Sequence, residues 1–102
     1  MRDKHILLCV TGGIAAFKAI LLLRLLTKAG AQVRVLMTES ATRFVGALTF
    51  EALSSHPVLM DLWETGGEGG ESHIRLAEWA DLIVVVPATA NTLARLAHGL
   101  AY

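Results

Sequence analysis

Five consecutive apolar residues, Ile6-Leu7-Leu8-Cys9-Val10, run straight into Thr11-Gly12-Gly13. Five more, Leu82-Ile83-Val84-Val85-Val86, run into Pro87-Ala88-Thr89-Ala90-Asn91-Thr92. A strand wetted on one side alternates apolar and polar residues, whereas an unbroken apolar run leaves no face for water. Such runs fit parallel sheets covered by helices on both sides. The second run follows a helical stretch, Ser72 to Asp81, with His73 near its start. Helix, buried strand and small-residue turn, in that order, put each turn at the carboxyl edge of the sheet, where open α/β sheets bind their ligands.

The rest of the chain fits the same plan. The pattern predicts a helix over Ile14 to Lys28, ended by Ala29-Gly30 with Gly30 as a left-handed cap. A second strand runs from Gln32 to Met37, with Val33, Val35 and Met37 on one face and Arg34 and Leu36 on the other. A short helix is expected around Ala41 to Phe44, with Thr38 or Ser40 as its N-cap, and another over Leu48 to Ser54. His56-Pro57 breaks that helix, and Val58 to Met60 reads as a short third strand. Glu64 to Ser72, with two glycine pairs, reads as a mobile surface loop. His73 to Ala80 then forms a helix, Leu82 to Val86 a strand, and Asn91 to His98 a last helix. The alternation indicates an α/β fold with right-handed crossovers. The last helix lacks a strand to follow it, so the chain reads as the N-terminal part, residues 1–102, of a single longer domain.

Composition narrows the function. Hydrophobic residues are 54% of the 102, which excludes a disordered tail. Nine basic and nine acidic residues balance, and no basic patch suggests a nucleic-acid partner. Lys18 and Arg24 interrupt the most apolar helix, so no membrane span is expected. Cys9, the single cysteine, reads as a core thiol. One cysteine makes no intrachain disulfide, which fits a reducing compartment and a cytoplasmic protein. The four histidines show no metal-ligand spacing, so no metal site is expected.

Three corners are candidates for ligand binding. Gly12-Gly13 lets the backbone approach a phosphate at a helix N-terminus, or forms a tight turn that binds nothing. The pattern is neither G-x-G-x-x-G nor a Walker loop, and Glu39 lies late for the acid of a dinucleotide site. Thr38 and Ser40 end the second strand, where capping and ligand contact are compatible. Thr89, Ala90, Asn91 and Thr92 form the third corner, and Asn91 is also a natural helix cap. His73 is the side chain suited to proton transfer near neutral pH, though a lone histidine is more often structural. Trp63 and Trp79 read as core or interface anchors.

Together, Val10-Thr11-Gly12-Gly13-Ile14-Ala15-Ala16-Phe17-Lys18, Val35 to Ala41, Leu48 to Ser54, His73 to Asp81 and Pro87 to Thr92 resemble the flavin-dependent cysteine decarboxylase family, and within it the phosphopantothenoylcysteine decarboxylases of coenzyme A biosynthesis. The motifs occur in the family's order over nearly the whole chain. The resemblance implies a Rossmann-like, flavodoxin-type, three-layer fold that binds FMN. By position, Gly12, Gly13 and Ile14 match the first FMN loop, Thr38 and Ser40 the second contact region, and Thr89, Ala90, Asn91 and Thr92 the third. His73 matches the catalytic histidine. The family builds homo-oligomers from trimers, with FMN near a subunit interface.

The implied reaction converts 4′-phosphopantothenoylcysteine, a small-molecule substrate, to 4′-phosphopantetheine. Direct loss of CO2 would leave an unstabilised carbanion. Oxidation of the cysteine side chain by FMN gives a thioaldehyde β to the carboxylate, CO2 leaves to give an ene-thiol, and reduced FMN returns it to the thiol. His73 would assist thiol oxidation as a base. The family's Pro-x-Met-Asn motif and its clamp cysteine are not found in this sequence, and Cys9 is in the wrong place to substitute. Three alternatives share the fold: a non-catalytic FMN-binding or regulatory relative, a peptidyl-cysteine decarboxylase, and a flavin prenyltransferase. Gly12-Gly13-Ile14 departs from the Gly-Ala-Ser type loop usual in the last.

Overall fold

The computed structural model describes residues 2–13, 16–61 and 70–86, with the backbone alone at 61 and 70–73. Its elements are strand β1 (His5–Val10), helix α1 (Ala16–Lys28), strand β2 (Gln32–Thr38), a 3-10 turn (Ser40–Arg43), helix α2 (Ala47–Ser54), strand β3 (Leu59–Asp61), helix α3 (Gly70–Trp79) and strand β4 (Leu82–Val86). All pairings are parallel, and the strand order is β3-β2-β1-β4. Ile6 pairs with Val33 on one side and Leu82 on the other, and Val10 with Met37 and Val86.

The unbroken apolar runs have the predicted consequence. Alternate residues of β1 enter two different cores. Ile6, Leu8 and Val10 join Val33, Val35 and Met37 of β2, beneath Ala16, Ala19 and Leu23 of α1 and Phe50 of α2. Leu7 and Cys9 point the other way, with Leu36 and with Leu76 of α3. The described chain is therefore a sheet between helix layers. Cys9 is buried and in no disulfide.

Helix α1 buries Ala16, Ala19 and Leu23, and leaves Leu21 and Leu25 about two-thirds exposed, at 64% and 66%. Its end is the expected glycine cap. Gly30 sits at φ +95°, its N–H donates to the Thr27 carbonyl, and the Ala31 N–H donates to that of Leu26, both at 3.0 Å. This double closure satisfies the last carbonyls of the helix.

Several boundaries differ from the sequence reading. The segment after β2 is a 3-10 turn rather than an α-helix, and its first residue, Ser40, follows Glu39 in helical conformation without a side-chain cap from Glu39. Helix α3 starts at Gly70, so Gly70, Glu71 and Ser72 are helical rather than loop, and His73 lies within the first turns instead of opening the helix. A hydrophobic anchor explains the extension: Leu76 is 7% exposed, and packing of such a face stabilises turns whose own residues favour loops. Among the described residues no helix is long and apolar enough to cross a membrane. The expected helix over Asn91 to His98 lies outside the described residues.

Candidate functional site at the carboxyl edge

From β1 the chain steps to β2 and β3 in one direction, then returns to place β4 on the other side of β1. The direction of winding reverses between β1 and β4. In open parallel sheets this reversal opens a crevice at the carboxyl ends, because successive crossovers leave on opposite faces. Thr11 and Gly12 leave β1 at this point. The Thr11 N–H donates to the Val86 carbonyl at 2.9 Å, tying the turn after β1 to the end of β4.

The turn is tight. Gly13 sits at φ +120°, and its carbonyl accepts from Ala16 N–H at 3.0 Å, leading into α1. Gly12 matters for space. A Cβ at that position would stand 2.5 Å from Ser40 Oγ and 3.0 Å from Ser40 Cβ. The turn after β1 and the 3-10 turn after β2 are therefore in direct contact through glycine.

Thr38 and Ser40 complete this corner. Thr38 is buried, and its Oγ1 accepts from the Ala41 N–H at 3.2 Å. Its hydroxyl lies 3.3 Å from that of Ser40. Thr38 is thus the capping residue, as one of the two expected alternatives. The structure brings the Gly12-Gly13 turn against the corner of Thr38 and Ser40, two pairs that are far apart in sequence. Thr11, also buried, belongs to the same edge; the signal for it in the sequence is a polar residue closing an apolar run.

Ile14 and the Thr89, Ala90, Asn91 and Thr92 corner lie outside the described residues, as does Trp63. The backbone of His73 lies in α3, whose carboxyl end leads through Ala80 and Asp81 into β4. No cluster of metal-ligating side chains occurs among the described residues.

The model of the Flavoprotein family matches residues 1–102. The chain belongs to the Flavoprotein family. Of its relatives, the coenzyme A biosynthesis bifunctional protein CoaBC of Bacillus subtilis is 52% identical over 101 residues, which is 99% of this chain and 25% of the relative. The chain therefore spans about a quarter of that protein's length. Among solved structures, the FMN-dependent cysteine decarboxylase SpaF is similar at 36% identity and a TM-score of 0.73, over 96% of this chain and 57% of SpaF. A PPC decarboxylase complexed with pantothenoylaminoethenethiol is similar at 32% identity and a TM-score of 0.61, over 99% of this chain and 56% of the other. Family membership accords with the Rossmann-like arrangement: the edge that the strand order opens is the one that carries the glycine turn.

Proposed function

We propose that residues 1–102 form the N-terminal part of a single FMN-binding domain that decarboxylates 4′-phosphopantothenoylcysteine to 4′-phosphopantetheine in coenzyme A biosynthesis. The observation that carries the reading is the contact between Gly12 and Ser40 at the winding reversal, in a chain 52% identical to a CoaBC protein. The corner fits a phosphate-bearing, flat cofactor. The absence of a side chain at Gly12 lets Ser40 pack directly against the turn after β1, which sets the hydroxyls of Ser40 and Thr38 beside that turn at the carboxyl edge.

In this reading Gly12, Gly13 and Ile14 would hold one part of the cofactor, Thr38 and Ser40 another, and Thr89, Ala90, Asn91 and Thr92 a third. FMN supplies reversible two-electron oxidation of the substrate's cysteine side chain, which makes loss of CO2 possible. His73 takes the proton that this oxidation releases, a task for which an imidazole is suited at neutral pH. The family resemblance adds a homo-oligomer built from trimers and a cytoplasmic location.

A second reading has one specific observation in its favour: SpaF has a higher TM-score and a higher identity than the PPC decarboxylase. It would make the protein a cysteine decarboxylase of another kind, for which a peptide ending in cysteine is the alternative substrate already offered by the family resemblance. The full-length protein distinguishes the two. Purified protein should be yellow, release FMN on denaturation, and evolve CO2 from 4′-phosphopantothenoylcysteine faster than from a cysteine-terminated peptide. A colourless preparation that FMN does not reconstitute refutes the cofactor, and the reverse substrate preference refutes the substrate.

A further inference from the structure

Thr38 ends β2 and is 9% exposed. Its Oγ1 accepts from the Ala41 N–H at 3.2 Å and lies 3.3 Å from Ser40 Oγ. A hydroxyl carries one proton and two lone pairs. The Ala41 amide only donates, so it takes one lone pair of Thr38 and leaves the Thr38 proton to be placed. Among the described residues, Ser40 Oγ is the acceptor within its reach. A buried hydroxyl proton without an acceptor carries the full penalty of its desolvation. Thr38 therefore donates and Ser40 accepts. That bond occupies one lone pair of Ser40 and turns the Ser40 proton away from Thr38. Ser40 itself is half-buried and stands against the turn after β1, where a Cβ on Gly12 would lie 2.5 Å from its Oγ.

We propose that Thr38 is a positioning residue of the cofactor site. It does not touch the cofactor, and it holds the Ser40 hydroxyl in the orientation that serves an acceptor oxygen of FMN. The inference rests on the FMN reading above and divides the work within its second contact region. The bonds run in one direction, from the Ala41 amide through Thr38 to Ser40, and each polarises the next. A chain that begins at an obligate donor also ends on a donor, which suits the oxygens of a phosphate or of a flavin carbonyl. The burial follows the same division, since Thr38 has little surface to offer a ligand and Ser40 has more.

The test measures FMN binding to the full-length apoprotein by quenching of flavin fluorescence. Thr38→Val keeps the shape and loses the hydroxyl, and the dissociation constant should rise about tenfold, the scale of one lost hydrogen bond. Thr38→Ser restores donor and acceptor together and should bind within about twofold of the parent. Ser40→Ala should weaken binding at least as much as Thr38→Val. Adding Thr38→Val to Ser40→Ala should change nothing further, because Thr38 acts through a hydroxyl that is then gone. Urea unfolding of each apoprotein shows that the variants fold. If Thr38→Val does not, Thr38→Cys, a weaker donor and acceptor, takes its place with the same expectations. Equal losses from the Thr38 change with and without the Ser40 hydroxyl overturn the inference, since Thr38 then touches the cofactor itself or only supports the fold. Unaltered affinity in Thr38→Val overturns it too. Both of those outcomes leave the FMN reading standing, whereas a parent protein that does not bind FMN sinks that reading and this inference with it.

Discussion

His5 and Trp79 lie face to face, with ring centroids 4.5 Å apart and planes 5° from parallel. The stack joins the first residue of β1 to the last of α3. Polar contacts reinforce it. His5 Nδ1 lies 3.1 Å from the Trp79 carbonyl oxygen, which only accepts, so that nitrogen carries the proton. The His5 N–H donates to Asp81 Oδ2 at 2.8 Å, and the Asp81 N–H returns a bond to the His5 carbonyl at 2.7 Å. This clasp holds the carboxyl end of α3 to the start of β1, and so sets how β4 enters the sheet. A double-mutant cycle of His5→Ala and Trp79→Ala should give a coupling of about 0.5–1.5 kcal/mol in urea unfolding. Additive effects would mean that the stacked rings contribute nothing as a pair.

Gly12→Ala should disrupt the carboxyl edge, since its Cβ would meet Ser40 Oγ at 2.5 Å. Overpacking of this kind costs about 1–3 kcal/mol, and flavin retention should fall with it. The double change Gly12→Ala with Ser40→Gly removes both clashing atoms and should recover most of the stability. If the double variant is as unstable as the single one, the clash is not the cause.

Two glycines should respond unequally to the same substitution. Gly30 is at φ +95°, and a Cβ there would stand 3.2 Å from the Arg2 backbone, so Gly30→Ala should cost about 1–2 kcal/mol. Gly46 is at φ −69° with nothing within 4 Å of an added Cβ. Gly46→Ala should stay within about 0.5 kcal/mol of the parent. Thermal unfolding of both variants checks the contrast, and equal losses would refute it.

His73→Asn in the full-length protein should leave FMN bound while decarboxylation falls by about 10²–10⁴-fold, the usual cost of losing a general base. Flavin content read by absorbance and CO2 release measured together separate the outcomes. Joint loss of flavin and activity would make His73 a cofactor or structural residue.

Residues 1–102 expressed alone should associate rather than sediment as a folded monomer, and should not decarboxylate. Strand β4 pairs only with β1 in the described sheet, leaving Leu82 exposed and Ile83 to Val86 half-buried. An apolar strand at a sheet edge is a template for pairing with another chain. Analytical ultracentrifugation decides the first half, with a cooperative monomer as the contrary result. CO2 release by this segment would refute the second.

Much of this architecture was legible in the residues. The runs Ile6–Val10 and Leu82–Val86 and the alternation across Val33, Leu36 and Met37 gave strands, faces and parallel pairing, because burial on two faces writes itself into local pattern. Gly30 marked the end of α1 for a similarly local reason, since few other residues accept its backbone angle. The start of α3 is not legible in the sequence because Gly70 favours a loop by its own propensity, and the packing of Leu76 against the sheet outweighs that preference. The 3-10 form of the turn at Ser40 depends on hydrogen bonds of Thr38 and the approach of Gly12, neither visible in a linear pattern.

The sequence by itself determined the elements, the two buried faces of β1 and the membership of Gly12, Gly13, Thr38 and Ser40 in turns at one edge. Those properties follow from neighbours along the chain, through side-chain period and backbone preference. Only the tertiary structure decided the strand order, and with it the contact of Gly12 with Ser40 and the stack of His5 on Trp79. These pairs are brought together by crossovers that bury apolar faces on either side of the sheet, so their proximity is set by global packing rather than by anything encoded near either residue.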